Sequence, residues 1–195
     1  MEYSYTVVPI PVPPLQRYVD RYAALRLLAL GTNPECFSST VEEAKTLTSE
    51  QWRERIDTPD RVTLVAVASK APANTSLALL DEDTAEWLGL IAVLTPEFLK
   101  KEWESLPIKF QQFAMWLGAP AHILISMWVH PEHRRKGLGG KLISEAVEWV
   151  RQRSKGGAVV LEVFKTNVGA ATLYREMGFV DIEEVEGSLW MGRSL

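Results

Sequence analysis

The feature that most constrains the fold of this chain is a predicted strand, a basic glycine-rich loop and a predicted helix in direct succession. Residues 123–129 form an apolar run typical of a buried strand, and apolar residues recur at helical spacing over residues 138–150. The intervening loop, residues 130–139, combines basic side chains with Gly137 and Gly139. Such a loop directs several backbone N–H groups toward one point at the positive end of the helix dipole. The sequence therefore predicts an anion site, most often one for phosphate.

Two common phosphate loops are excluded by spacing. A Walker loop requires glycine five positions before Gly140 and serine or threonine after Lys141, but these positions hold Arg135 and Leu142. A dinucleotide-binding loop requires a third glycine or alanine, again at the position of Leu142. The pattern that fits is Arg-x-x-Gly-x-Gly over residues 134–139.

A second motif covers residues 167–179 with the pattern Asn-x-x-Ala-x-x-Leu-Tyr-x-x-x-Gly-Phe. Asn167 is a favourable N-cap, and Gly178 suits the left-handed position that follows a helix. Ala170 is small enough to let something pack against the helix. Tyr174 lies one turn later on a related face, so the motif predicts a short helix that carries a phenol.

Together, in this order and each after a predicted strand, the two motifs resemble the signatures of the GNAT superfamily of acyl-CoA-dependent N-acyltransferases. The predicted order of elements, β-α-α-β-β-β-α-β-α-β-β, indicates an α+β or mixed α/β domain and is similar to the GNAT fold. The resemblance implies a central, mostly antiparallel twisted sheet flanked by helices. With 195 residues, the chain is expected to form a single N-acetyltransferase domain over residues 1–195.

Hydrophobic periodicity and chain breakers place the individual elements. Strands are predicted at residues 5–10, 62–69, 87–94, 123–129, 158–164, 179–185 and 188–192. Helices are predicted at residues 15–30, 40–56, 138–153 and 167–177. Residues 71–76 are interpreted as a turn or flexible loop, residues 81–83 as a hairpin tip, and residues 97–117 as holding one or two short helical turns.

The resemblance also implies acetyl-CoA as the cosubstrate. Backbone N–H groups of residues 135–140 would hold its pyrophosphate, since Gly137 and Gly139 allow close approach, and basic side chains of the loop would add charge. The end of the preceding strand would pair with the pantetheine arm, and one of its backbone N–H groups would polarise the thioester carbonyl. The binding residues expected on this basis are Met127, Trp128, Val129, Arg134, Arg135, Lys136, Gly137, Leu138, Gly139, Gly140, Lys141, Asn167 and Tyr174.

In the reaction that the resemblance implies, a primary amine attacks the thioester directly. Tyr174 is the expected catalytic residue, a general acid that protonates the leaving thiolate, because a phenol of ordinary pKa about 10 matches that task. Asn167 would contact the pantetheine arm or position the helix of Tyr174.

No general base is assigned from the sequence. The strand at residues 123–129 has no carboxylate, and the flanking His122 and His130 are interpreted as loop histidines. Glu86, Glu97 and a water chain to a backbone carbonyl remain open alternatives.

The acceptor is expected to bind at the variable segments 31–60 and 95–120. The second segment carries five aromatic residues that could line a pocket, although such residues are more often core: Phe98, Trp103, Phe110, Phe113 and Trp116. The segment's length favours an enclosed site and a small-molecule amine. A protein or peptide N-acetyltransferase and an inactive acyl-CoA-binding module are the alternatives.

Charge and composition exclude other classes of function. A formal net charge of -4 argues against general nucleic-acid binding. The single cysteine, Cys36, allows no intrachain disulfide and is interpreted as an inert thiol, and no metal is expected because Pro131 interrupts the spacing of His130 and His133 and no third ligand is evident. With no signal peptide and no apolar run approaching the roughly 20 residues that span a bilayer, we expect a cytoplasmic protein without membrane contact, as a monomer or homodimer.

Overall fold

The computed structural model describes residues 4–69, 78–81, 85–106, 108–117, 121–154 and 156–195. Its strands are β1 (Ser4–Pro9), β2 (Arg61–Ser69), β3 (Glu86–Leu94), β4 (Ala121–Val129), β5 (Ala158–Phe164), β6 (Val180–Val185) and β7 (Ser188–Ser194). Its helices are α1 (Gln16–Thr32), α2 (Val41–Lys45), α3 (Ser49–Glu54), α4 (Ala78–Asp81), α5 (Pro96–Glu102), α6 (Ile108–Leu117), α7 (Leu138–Arg151) and α8 (Val168–Glu176). Short 3-10 helices lie at Pro34–Cys36, Trp103–Ser105 and Pro131–His133.

These strands form one sheet in the order β1-β2-β3-β4-β5-β7-β6. Each neighbouring pair is antiparallel except β4 and β5, which run parallel and are connected through α7. A parallel pair needs a crossover of this kind, because a short turn cannot return the chain to the same end of the sheet. The predicted mixed α/β fold with a mostly antiparallel central sheet is confirmed.

Both faces of the sheet are covered by helices. Side chains alternate along each strand, so neighbouring residues of one strand enter different apolar clusters. On one face, Leu64 of β2 packs in a cluster with Leu142 and Val147 of α7. On the other face, Val65 packs in a cluster with Tyr22 of α1. A third cluster lies between α5, α6 and strands β4, β5 and β7. No helix within the described ranges is long and apolar enough to cross a membrane.

The single helix predicted at residues 40–56 is wrong, since two short helices occupy this stretch. Thr40 caps α2 and Thr48 caps α3, each in a reciprocal capping box with the residue three positions later. A capping box satisfies the free N–H groups of a new helix start, so the second box favours a break over continuation.

Residues 97–117 are more helical than predicted. Instead of one or two short turns, they hold most of α5, a 3-10 turn and the ten-residue α6. The predicted hairpin tip at 81–83 is not supported at Asp81, which ends α4, and its other two residues lie outside the described ranges, as does the predicted loop at 71–76.

Candidate active site

A gap between β4 and β5 is the main opening in the sheet. The parallel ladder joins Ala121–Leu124 to residues 158–161, but β4 continues to Val129 and β5 to Phe164 without further pairing between them. The β4 residues that follow Leu124, at 125–127, are half-buried, unlike those on either side. A strand edge of this kind offers unpaired N–H and C=O groups to an extended ligand.

A β-bulge lies in β4 at this gap. Trp128 pairs with Leu90 and Ile125 pairs with Ala92, so two residues of β4 face one residue of β3. Ser126 takes a φ of 58°, in the left-handed region that non-glycine residues rarely adopt. A bulge leaves local backbone groups out of the ladder and turns them to a new direction. The β4 backbone can therefore donate into the gap.

The basic loop enters α7 through two left-handed residues, Arg135 with φ 60° and Gly137 with φ 80°. Gly137 is the N-cap of α7, and no atom lies within 4 Å of the position its Cβ would take. The first N–H groups of a helix have no partner within the helix. The loop side chains from Arg134 to Lys136 are exposed. The start of α7 is thus open to solvent, and the anion site there stays a prediction.

Two of the predicted basic side chains have partners within the protein. Arg134 donates from Nε to the Val129 carbonyl at 2.9 Å and also to Oδ1 of Asn33. The Lys141 ammonium donates to the carbonyl of Tyr5 in β1. Arg135 and Lys136 are therefore better placed than Lys141 to add charge at the loop.

Gly139 is also favoured by packing within the protein. A Cβ there would lie 2.9 Å from Cδ2 of Leu173 and 3.0 Å from Cε of Met127. The glycine makes room for these protein side chains, rather than only for a ligand. This packing brings the loop, the bulged part of β4 and α8 together.

Asn167 caps α8, as predicted. Its Oδ1 accepts from the N–H of Ala170 at 3.2 Å, and its Nδ2 donates to Sγ of Cys36 at 3.4 Å.

Tyr174, on the same helix, is only 6% exposed and packs its ring against Phe179. Among the described residues, no group is within hydrogen-bonding distance of the Tyr174 hydroxyl. Burial, with a smaller effect from Cys36, raises the pKa of Tyr174 well above its ordinary value.

The segment after α1 contributes residues that the sequence analysis missed. Asn33 accepts from Nε1 of Trp128 at 3.1 Å and from Arg134, and its Nδ2 donates to Glu35 at 3.1 Å. Cys36 follows and contacts Asn167. Burial, then the Glu35 carboxylate, raises the pKa of the Cys36 thiol. The Asn-Pro pair predicted only a helix stop, so no local signal placed this segment beside β4.

The two histidines beside β4 differ in their surroundings. His122 is 3% exposed, its ring meets Trp149 of α7 edge to face, and burial lowers its pKa. His122 therefore points to the α7 side of the sheet, and its interpretation as a loop histidine is wrong because it lies in β4. His130 does lie in the loop after β4, where its ring contacts Trp128 and His133.

A cluster of possible metal ligands follows β4. The 3-10 helix Pro131–His133 brings ligand atoms of His130, Glu132 and His133 within 4.8 Å of one another. The expectation that no third ligand accompanies the histidines is therefore wrong, since the tight turn adds Glu132. Nδ1 of His133 is also 3.0 Å from the Tyr5 hydroxyl. The absence of a metal stays a prediction.

Comparisons with known proteins agree on one family. The family model described as "Acetyltransferase (GNAT) family" matches residues 41–179. An uncharacterized N-acetyltransferase of Methanocaldococcus jannaschii is 37% identical over 65 residues, which cover 33% of this chain and only 28% of that relative.

Several solved structures share the fold at low identity. Arabidopsis thaliana NAA60 in complex with a bisubstrate analogue is 17% identical, with a TM-score of 0.61 over 97% of this chain and 99% of that one. A GNAT-family acetyltransferase of Streptococcus pneumoniae is 17% identical, with a TM-score of 0.60 over 98% and 99%. The PaiA N-acetyltransferase of Thermoplasma acidophilum in complex with coenzyme A is 13% identical, with a TM-score of 0.60 over 98% and 99%.

Proposed function

Because the chain belongs to the acetyltransferase (GNAT) family, we propose that it transfers the acetyl group of acetyl-CoA to a primary amine by direct attack. The observation that carries the proposal is the part of β4 that is not paired with β5, residues 125–129, together with the bulge at residues 126–127. This part of β4 adjoins the basic loop on one side and α8, which carries Tyr174, on the other. The side chains of Met127 and Leu173 both lie next to Gly139 of the loop.

The residues present fit acetyl-CoA. The open helix start at residues 137–140 holds the pyrophosphate, and the exposed Arg135 and Lys136 add charge. The unpaired edge of β4 takes the pantetheine arm as an additional strand. A backbone N–H that follows the bulge, at Trp128 or Val129, donates to the thioester carbonyl as negative charge develops on its oxygen.

The transfer needs one proton delivered and one removed. The amine nitrogen bonds to the carbonyl carbon, the carbon–sulfur bond breaks, and the thiolate takes the proton of the Tyr174 hydroxyl. The raised pKa of Tyr174 keeps this phenol protonated before the transfer. The nitrogen loses its proton to solvent. The Tyr174 phenolate then takes up a proton from solvent and is ready for the next reaction.

We further propose that the whole chain acts as one acetyltransferase unit on a small-molecule amine. Phe98, Trp103 and Phe113, from the α5–α6 segment, pack in the same cluster as Ile125, at the start of the unpaired part of β4. This packing places the α5–α6 segment next to the gap, which favours an enclosed site.

The test is release of CoA thiol from acetyl-CoA, with mass spectrometry of the products, across a panel of small amines and amine-bearing peptides. Acetylation of small amines supports the proposal, and acetylation of peptides alone overturns its small-molecule part. Tight CoA binding without turnover on any amine shows an inactive binding module and overturns the proposed activity.

A further inference from the structure

Three buried polar atoms without hydrogen-bond partners lie on the α1 side of the sheet, and two of them belong to neighbouring arginines. They are Nη1 of Arg26 in α1 and Nε of Arg61 and Oγ1 of Thr63 in β2. Buried polar groups in folded proteins almost always have a partner, so a group of three that lack one needs an explanation. A ligand that supplies acceptors would provide it.

The charge of Arg26 is not balanced by a carboxylate among the described residues. Arg26 is 4% exposed, and burial lowers its pKa, as do Arg61 and Arg55. Its neighbours are the Phe37 ring, 4.9 Å from the guanidinium carbon, and Tyr22. Because a buried arginine is normally paired with an anion, this site favours a negatively charged guest.

Arg61 lies beside Arg26, since both have Tyr22 as a neighbour. Its Nη2 donates to the Tyr22 hydroxyl at 3.2 Å, while its Nε has no partner. Arg61 is half-buried, so part of it reaches solvent, whereas Arg26 is buried with its guanidinium over the partly buried ring of Phe37. A ligand can thus approach along Arg61, and Arg26 forms the inner wall.

The register of the sheet places this site beside the acyl-transfer gap. Arg61 and Thr63 share the face of Val65, which packs under α1, because alternate residues of a strand point the same way. Thr63 pairs with Ala92, and Ala92 pairs with Ile125 at the start of the unpaired part of β4. Two strand spacings of about 4.8 Å separate Thr63 from Ile125, or about 10 Å in all. An arginine side chain and a substrate of amino-acid size together span that distance.

We infer that Arg26 and Arg61 bind the carboxylate of the acceptor, so that the substrate is a small amine carrying an acidic group, such as an amino acid. The two guanidinium groups donate to the carboxylate oxygens, Thr63 adds a hydroxyl donor, and the amine points toward the gap in the sheet. This inference rests on the proposed acetyltransferase function, whose acceptor it specifies.

The experiment compares matched amines that differ only in the acidic group. Amino acids, their carboxamides and their phosphonate analogues are tested with saturating acetyl-CoA, using wild type, Arg61→Gln and Arg26→Met. Arg151→Gln is the matched control, since Arg151 is an exposed arginine at the end of α7, which packs on the opposite face of the sheet.

For wild type we expect kcat/KM at least tenfold higher for the carboxylates than for the carboxamides. Arg61→Gln should raise KM for the carboxylates at least tenfold, with little change in KM for the carboxamides or for acetyl-CoA. Arg151→Gln should leave the ratio of kcat/KM for carboxylates to kcat/KM for carboxamides unchanged. If Arg26→Met fails to fold, Arg61→Gln still tests the inference, because Arg61 is only half-buried and its substitution is better tolerated. Equal kcat/KM values for carboxylates and carboxamides in wild type overturn the inference but leave the proposed acetyltransferase activity in place. A preference for phosphonates overturns the assignment of a carboxylate.

Thermal shifts without acetyl-CoA separate the two proposals. A carboxylate amine that raises the Tm of wild type but not of Arg61→Gln supports the anion site even if no amine is acetylated, in which case only the proposed activity fails. No shift in wild type together with no turnover overturns both.

Discussion

Asn167 donates from Nδ2 to Sγ of Cys36 at 3.4 Å, and this contact ties the segment after α1 to the helix that carries Tyr174. The other end of the same carboxamide caps α8. The Asn167 amide has a second N–H, so a pantetheine arm that contacts Asn167, as the resemblance implies, would bind beside the Cys36 thiol. Cys36 therefore serves as a reporter of ligand binding in the gap.

We predict that Cys36 reacts slowly with iodoacetamide at pH 7 and faster as the pH rises. Burial and the Glu35 carboxylate raise the pKa of the thiol, so little of the reactive thiolate is present near neutrality. Saturating CoA should slow the reaction further. Since Cys36 is the single cysteine of the chain, the mass of the adduct reports this site alone. Urea-unfolded protein is the control, and a labelling rate in native protein equal to that control would contradict the prediction.

Tyr174→Phe is expected to lower kcat by roughly 10²–10⁴, the usual contribution of a positioned general acid, with KM for acetyl-CoA nearly unchanged. Steady-state kinetics with the best amine of the panel measure this.

Because burial raises the pKa of Tyr174, deprotonation of its phenol should not reduce the kcat of wild type below pH 10. Tyr18→Phe is the matched control: it removes a buried hydroxyl that donates to Asp81 at 2.5 Å in the α1 cluster, and it should leave kcat intact. Equal kcat values for Tyr174→Phe and wild type would remove Tyr174 from the chemistry.

Gly89→Ala is expected to destabilise the fold by about 1–3 kcal/mol and to raise KM for acetyl-CoA. A Cβ at Gly89 would lie 2.7 Å from the carbonyl oxygen of Trp128, a backbone atom beside the β4 bulge that cannot move without disturbing the strand. Urea unfolding and steady-state kinetics measure the two effects.

Gly169→Ala is the matched control for that substitution. Gly169 lies in the first turn of α8, and no atom is within 4 Å of the position its Cβ would take. Alanine there should be neutral or stabilise by up to about 1 kcal/mol, because it favours the helix. Similar losses in both variants would show that the backbone contact at Gly89 is not the cause.

Folding stability is expected to decline as the pH falls from about 6.5 toward 5, in part through His122. Burial lowers the pKa of His122, so the unfolded chain takes up its proton at a higher pH than the folded protein does. The stability due to neutral His122 is present above pH 6.5 and is lost as the pH falls through the folded pKa.

His122→Phe should make the dependence of Tm on pH shallower, since phenylalanine keeps a ring against Trp149 but cannot titrate. Some dependence should remain, because burial and Lys136 also lower the pKa of His133. An identical slope in wild type and His122→Phe between pH 7.5 and 5 would contradict this assignment.

Local sequence was enough to predict most of the elements. The apolar spacing over residues 138–150 predicted α7, and Asn167 and Gly178 marked the limits of α8, because helix faces and caps involve residues only a few positions apart. The same local reasoning failed at residues 40–56, where a second capping box at Thr48 interrupts a continuous helical pattern. It also undervalued α5 and α6, whose apolar residues follow no clear helical period.

The sequence by itself determined the family resemblance, the acyl donor that it implies and the position of the basic loop, because both motifs are short patterns along the chain. Only the tertiary structure decided what surrounds them. Cys36 and Asn167 stand 131 positions apart, and they meet because α1 ends above the edge of β4. Arg26 of α1 and Arg61 of β2 likewise come close to each other only because α1 packs on the sheet. Such contacts depend on how many distant elements pack at once, which no local spacing records.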